Sequence, residues 1–169
     1  MTTAVIGATG HIGSEIVRGL LARGEIVAAL VRDADEARHA LGEADGLHVR
    51  PTRLDDRRDL ADALHGIRTL FIAMGSIGIE GVLQRIAINA AAGISSIEQV
   101  TRLSVLNASA GSLGINQRAH YSIDQFASST AVPYSTIRAR SSRRRCSPRR
   151  PRCAPRGPGP GSPAAVGWP

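Results

Sequence analysis

The strongest constraint on the fold lies at the amino terminus, in Ala4-Val5-Ile6-Gly7-Ala8-Thr9-Gly10-His11-Ile12-Gly13. A short apolar run leads into three glycines at three-residue spacing, and a helical pattern follows. Ile12, Ile16 and Leu20 recur at i, i+4 and i+8, with Val17 and Leu21 beside them. The arrangement predicts a strand, a tight turn and a helix. Gly7 permits the turn that ends the strand, Gly10 has no Cβ to hold the backbone off a phosphate, and Gly13 lets helix and strand pack closely. The helix N-terminus then presents free N–H groups and the positive end of its dipole to an anion. Glu15 is expected in the first turn of that helix, Arg23 in the last, and Gly24 just beyond it.

The spacing is G-x-x-G-x-x-G rather than the more familiar G-x-G-x-x-G, so its meaning depends on context. Ile26 to Val31 is an unbroken apolar run, as in a strand covered on both faces. Strand, glycine turn, helix and buried strand fit within about 30 residues, the size of a dinucleotide-binding βαβ unit. Directly off the second strand comes Arg32, then Asp33. In such units a carboxylate at this point holds the ribose hydroxyls of NAD, whereas an Arg accepts the 2′-phosphate of NADP. Arg32 therefore favours NADP(H) over NAD(H).

Further along, Ala34 to Leu41 predicts a short helix, Leu47-His48-Val49 a short strand, and Asp56 to Leu64 a helix stopped by Gly66. Thr69 to Gly75 predicts a fourth buried strand. Its last residues, Ala73, Met74 and Gly75, are expected to border the cofactor's ribose, because ligands sit at the C-terminal ends of parallel strands. Val82, Leu83, Ile86 and Ala90 predict a helical face running to Gly93, and Val100 to Val105 a fifth strand. Asn107 to Gly114 is a loop of small residues that could cover a substrate. Helix Gln117 to Ser128 and strand Tyr134 to Ile137 complete the pattern. The expected class is α/β, a doubly wound parallel sheet of Rossmann type over residues 1–138.

A chain of 169 residues suits one domain with a real core. Its net charge of +7 is unevenly spread. Residues 1–137 hold twelve Arg and all 14 acidic residues and sum to −2, while residues 138–169 hold nine Arg and no acid. Residues 139–169 also carry 7 of the 9 prolines, Cys146, Cys153 and Trp168, so a disordered low-complexity Arg/Pro/Gly tail is expected there. Arg143-Arg144-Arg145 would neutralise phosphates without reading bases, so no specific nucleic-acid partner is expected. The tail's composition also fits sequence read out of frame after Arg138, in which case another frame encodes an apolar, helix-patterned segment. His11, His39, His48, His65 and His120 are scattered without ligand spacing, and no metal site is expected. Met1 leads straight into the first strand and no apolar run approaches a membrane span, so a cytoplasmic protein without a membrane partner is expected.

Taken together, Gly7-Ala8-Thr9-Gly10-His11-Ile12-Gly13, Leu30-Val31-Arg32-Asp33, Arg102-Leu103-Ser104 and Pro133-Tyr134-Ser135-Thr136-Ile137-Arg138 resemble the atypical short-chain dehydrogenase/reductases of the NmrA-like, NAD(P)H-binding branch. The resemblance covers about residues 1–138. It implies a Rossmann-type domain holding NADP(H) across Gly7, Gly10, His11, Ile12, Gly13 and Arg32. Relatives carry Asp-Leu near the adenine, where this chain has Arg53-Leu54 and then Asp55, so Leu54 is the adenine-side candidate. A smaller C-terminal lobe would shape a substrate pocket, but this chain departs from the pattern after Arg138. The implied activity is hydride transfer to a small carbonyl or quinone-like acceptor. The alternative is a non-catalytic NADP(H)-sensing regulator with a protein partner. Family enzymes commonly pair a Tyr with a Lys four residues on; here Tyr121 is followed by Gln125, and Arg118 is the nearest cation in sequence. Ser104 could bond a substrate carbonyl or its own backbone, His120 is expected at the surface, and no catalytic residue is assigned.

Overall fold

The computed structural model describes residues 2–139; Met1 and the stretch after Ala139, including Arg143-Arg144-Arg145, Cys146, Cys153 and Trp168, lie outside the described residues. Strands and helices alternate: β1 (Thr2–Ile6), α1 (His11–Leu21), β2 (Ile26–Val31), α2 (Ala34–Leu41), β3 (Leu47–Pro51), α3 (Arg57–Leu64), β4 (Thr69–Ile72), α4 (Ile79–Ala92), β5 (Gln99–Val105), α5 (Ile115–Ser128) and β6 (Tyr134–Ala139). All strand pairs are parallel, in the order β3-β2-β1-β4-β5-β6. The chain winds outward from β1 in both directions, so a crevice opens beyond the carboxyl ends of β1 and β4, where the winding reverses.

Alternation along the strands divides the core between the two faces of the sheet. Val5, Val27, Ala29 and Phe71 pack with Val17 of α1 and Ala37 of α2. Ala4, Ile6, Leu30, Leu70 and Ile72 pack with α3, α4 and α5 through Leu60, Leu64, Ile88 and Ile123. Each fully buried Leu or Ile here contributes roughly 1.5–3 kcal/mol of transfer free energy. Among the described residues no helix is long and apolar enough to cross a membrane.

Several element ends differ from the sequence reading for physical reasons. β4 stops at Ile72 rather than Gly75. Ala73 N–H still bonds Ile6 C=O (2.9 Å), but Gly7 then turns away and removes the pairing partner. α1 ends at Leu21, so Arg23 lies past its last turn, while Gly24 takes a left-handed φ of 74° beyond the helix end. Glu15 lies beyond the first turn and pairs with Arg18 at 2.5 Å. β6 runs through Ala139, whose carbonyl accepts from Leu106 N–H (2.9 Å). α4 begins at Ile79, and its buried stripe is Gly81, Gln84, Ala87, Ile88 and Ala91. Val82 faces outward and Leu83, Ile86 and Ala90 are half-buried.

Candidate functional site

Three glycines build the turn after β1, and they do so for different reasons. Gly7 has φ 79°, and a Cβ there would collide with the carbonyl oxygen of Ala73. A Cβ on Gly13 would collide with the carbonyl oxygen of Gly7, so both glycines are demanded by close packing of α1, β1 and the exit of β4. Gly10 is different. Its backbone is ordinary extended chain (φ −71°, ψ 164°), and an added Cβ would meet only Gly7 O, at 3.2 Å. A side chain there asks Gly7 O to give by a few tenths of an ångström, far less than at the other two glycines.

Gly10 is the N-cap of α1 and the helix's first internal bond is Ser14 N–H to Gly10 C=O (2.9 Å), which leaves the amides of His11, Ile12 and Gly13 without helical acceptors. α2 and α3 meet this demand with carboxylates. Asp33 accepts from the N–H groups of Asp35 (2.8 Å) and Glu36 (2.9 Å), and Asp56 from those of Arg58 (2.9 Å) and Asp59 (3.2 Å). Those backbone donors hold the Asp56 carboxyl below its ordinary range. α1 has neither a capping side chain nor an acid in its first turn. Its N-terminus suits an incoming anion.

A cavity of about 670 Å³ opens at this helix mouth. Gly7, Ala8, Thr9 and Gly10 line it from the turn, Arg32 and Asp33 from the end of β2, Leu54 from the loop after β3, and Ala73, Met74 and Gly75 from the exit of β4. The structure thus brings together nine of the twelve residues expected from the sequence. His11 and Ile12 are exposed in the first turn and Gly13 is buried beneath it; none of the three lines the cavity. Ile79 and Leu83, one turn apart on α4, add an apolar wall that was not expected from the sequence. Glu80, whose carboxylate lies over Gly75, also borders it. At the end of β2 the two charged neighbours divide their work. Asp33 caps α2, while Arg32 is exposed at the cavity and has no ion-pair partner among the described residues.

Across β4 lies a polar cluster that the sequence did not reveal. Arg102 is fully buried on β5. It donates to Asp124 Oδ1 (2.5 Å), Gln84 Oε1 (2.5 Å) and His120 Nδ1 (2.7 Å). Because Arg only donates, the His120 proton sits on Nε2. Ser104 Oγ donates to Asp124 Oδ2 (2.9 Å) and Tyr134 OH to Asp124 Oδ1 (2.9 Å). Burial keeps the Tyr134 phenol above its ordinary range, so it retains the proton it donates. Ser104 is therefore satisfied by Asp124 and not by its own backbone, and it is closed to solvent. His120, expected at the surface, is 5 % exposed. Arg118 donates to the carbonyls of Ser112 (2.7 Å) and Leu113 (2.8 Å) and so braces the loop before α5.

Burial, with help from Arg102 and against the pull of Asp124, pushes His120 down to about 4 from 6.5. Between these two pH values the unfolded chain binds a proton that the folded one refuses. Stability is therefore expected to fall as pH drops from about 6.5 to about 4, by up to roughly 3 kcal/mol. His120→Asn keeps an acceptor where Nδ1 stands and has nothing to titrate. Urea midpoints across this range are expected to slope less in the variant than in the parent, and equal slopes would remove His120 as the cause.

The chain matches known proteins in keeping with this geometry. Sterol demethylase protein B of Methylococcus capsulatus is 43% identical over 82 residues, which is 47% of this chain and 24% of that protein. The structure superposes on the NADPH-dependent quinone oxidoreductase QOR2 of Escherichia coli, crystallised with NADPH, with a TM-score of 0.71 and 24% identity, covering 80% of this chain and 48% of that one. NmrA, a negative transcriptional regulator crystallised with NADP, superposes with a TM-score of 0.71 and 19% identity, covering 81% of this chain and 44% of that one. The two superpositions show the shared fold, and the chain spans less than half the length of each of these three proteins. Residues 7–140 match the model of a family described as NAD(P)H-binding, and the chain belongs to that NAD(P)H-binding family.

Proposed function

We propose that the cavity seats NADP(H), with the pyrophosphate over Gly10 and the α1 N-terminus, the 2′-phosphate on Arg32, and the nicotinamide half beyond β1 toward Ala73 to Gly75. The observation that carries this is Gly10, a glycine that φ does not require and whose added Cβ would meet only Gly7 O, at 3.2 Å, placed where an uncapped helix end meets the cavity. The preference for NADP(H) rests on Asp33 being engaged by α2 while Arg32 is left for a phosphate. Arg32→Ala is expected to weaken NADPH about thirtyfold, the loss of a charge-assisted contact, and to leave NADH unchanged. Calorimetric titration with both cofactors checks this, and an unaltered NADPH-to-NADH ratio would take Arg32 out of the site.

When bound, the nicotinamide supplies hydride. The protein's part is to hold and orient it, with Ile79 and Leu83 keeping water from one wall of the cavity. The acceptor we favour is a small carbonyl or quinone. A quinone suits the site best because its reduced form draws protons from water, and no Tyr, His or Lys stands among the described residues that line the cavity. QOR2, by its name, is a quinone oxidoreductase. A second reading is an NADP(H)-responsive regulator, favoured by the closure of Ser104 against Asp124 and by the engagement of Arg118 away from Tyr121. Incubation of protein and NADPH with quinones and aldehydes separates the two: cofactor oxidation supports the reductase, and tight binding without oxidation supports the regulator.

A further inference from the structure

Gln84 stands in the buried stripe of α4, yet it is polar and fully enclosed. Its amide orientation follows from its partners. Arg102 only donates and a backbone carbonyl only accepts, so Oε1 faces Arg102 Nε (2.5 Å) and Nε2 donates to Gly75 C=O. Gly75 lines the cavity just where the chain leaves β4 and has no strand beside it. On its other side Arg102 is fixed by Asp124 and His120 of α5, and Asp124 is fixed by Ser104 and Tyr134. An unbroken polar chain therefore runs from β6 through α5, β5 and α4 and ends on one carbonyl at the cavity rim. A second tie, Ser76 Oγ to Asn116 Oδ1 (2.9 Å), fastens the next residue to α5.

Packing alone does not account for this chain, because apolar side chains of similar volume would fill the space between α4 and β5 at a lower desolvation cost. What they would not supply is a donor for Gly75. We propose that Gln84, held in place by Arg102, is a positioning residue that fixes the backbone of residues 75–78, so that the nicotinamide half of the dinucleotide meets a preset wall. This rests on the NADP(H) reading above. In this topology the adenosine half lies at β2 and the nicotinamide half across β1 at β4, so Gln84 acts on only one end of the ligand.

Gln84→Glu tests the idea, because the carboxylate still accepts from Arg102 but turns an oxygen toward Gly75 C=O. NADPH affinity is expected to fall about tenfold, the loss of one hydrogen bond's ordering. Affinity for 2′,5′-ADP, which has the adenosine half and no nicotinamide, is expected to stay within about twofold. Without ligand, backbone amide order parameters from NMR relaxation are expected to fall at residues 75–78 and to stay unchanged at 7–13. Gln84→Met, which removes the donor and adds no charge, is expected to give the same split if the Glu variant fails to fold. Equal losses for both ligands, or unchanged order parameters at 75–78, would overturn the proposal. A parent protein that binds neither ligand would overturn the cofactor reading instead, with the order parameters still deciding the role of Gln84.

Discussion

Gly10→Val is expected to leave the protein folded and to weaken NADPH binding about a hundredfold, the effect of some 3 kcal/mol of overpacking against the ligand. The two effects separate because Gly10 has extended backbone angles that a β-branched residue adopts freely, and a Cβ there meets one carbonyl oxygen at 3.2 Å. Exchanging Gly for Val at an N-cap costs the fold about 1 kcal/mol. The valine methyls would then occupy the cavity mouth, over amides that have no acceptor among the described residues. Gly7 and Gly13 offer no such separation, since a Cβ at either strikes backbone. Calorimetric titration beside a urea melt reads both quantities. If affinity survives in Gly10→Val, the pyrophosphate does not lie where we place it.

Arg102→Met carries the second large effect, a loss of about 3–5 kcal/mol of folding stability. The substitution preserves much of the side-chain volume and removes the only cation paired with Asp124 among the described residues; the Asp124 side chain is 8 % exposed. The Asp124 carboxylate would keep two hydroxyl donors, from Ser104 and Tyr134, and have no countercharge. Domains are typically stable by only about 5–15 kcal/mol, so the change takes a large share of the total. Removing both charges, as in Arg102→Met with Asp124→Leu, is expected to cost less than the sum of the two single changes, because each single change leaves a buried charge without its partner. Urea unfolding of the two single variants and the double variant gives the coupling directly. Strict additivity would mean that the pair does not act as a unit.

The strand, glycine turn and helix at the amino terminus were legible because each depends on neighbours in sequence. Apolar runs, turn glycines and i, i+4 repeats carry that information locally. The order Arg32-Asp33 was legible too, but not the division of labour, which exists only because Asp33 caps the helix that begins at Ala34. The face of α4 was misjudged for a different reason. Gln84 is buried because its partners come from Gly75 and Arg102, 9 and 18 residues away, and no local pattern announces them. His120 was expected outside by the same logic, since its burial depends on which side of α5 meets β5. The exit of β4 ended early because its neighbour β1 turns at Gly7, a fact about the partner strand and not about Ala73 to Gly75.

Amide NMR during a titration with NADPH asks where the dinucleotide lies. The signals of Gly7, Gly10, His11, Ile12, Gly13, Arg32, Ala73, Met74 and Gly75 are expected to shift together and to saturate with one dissociation constant. Shifts confined to the separate groove between Arg38 and Val49, or none at residues 7–13, would contradict it.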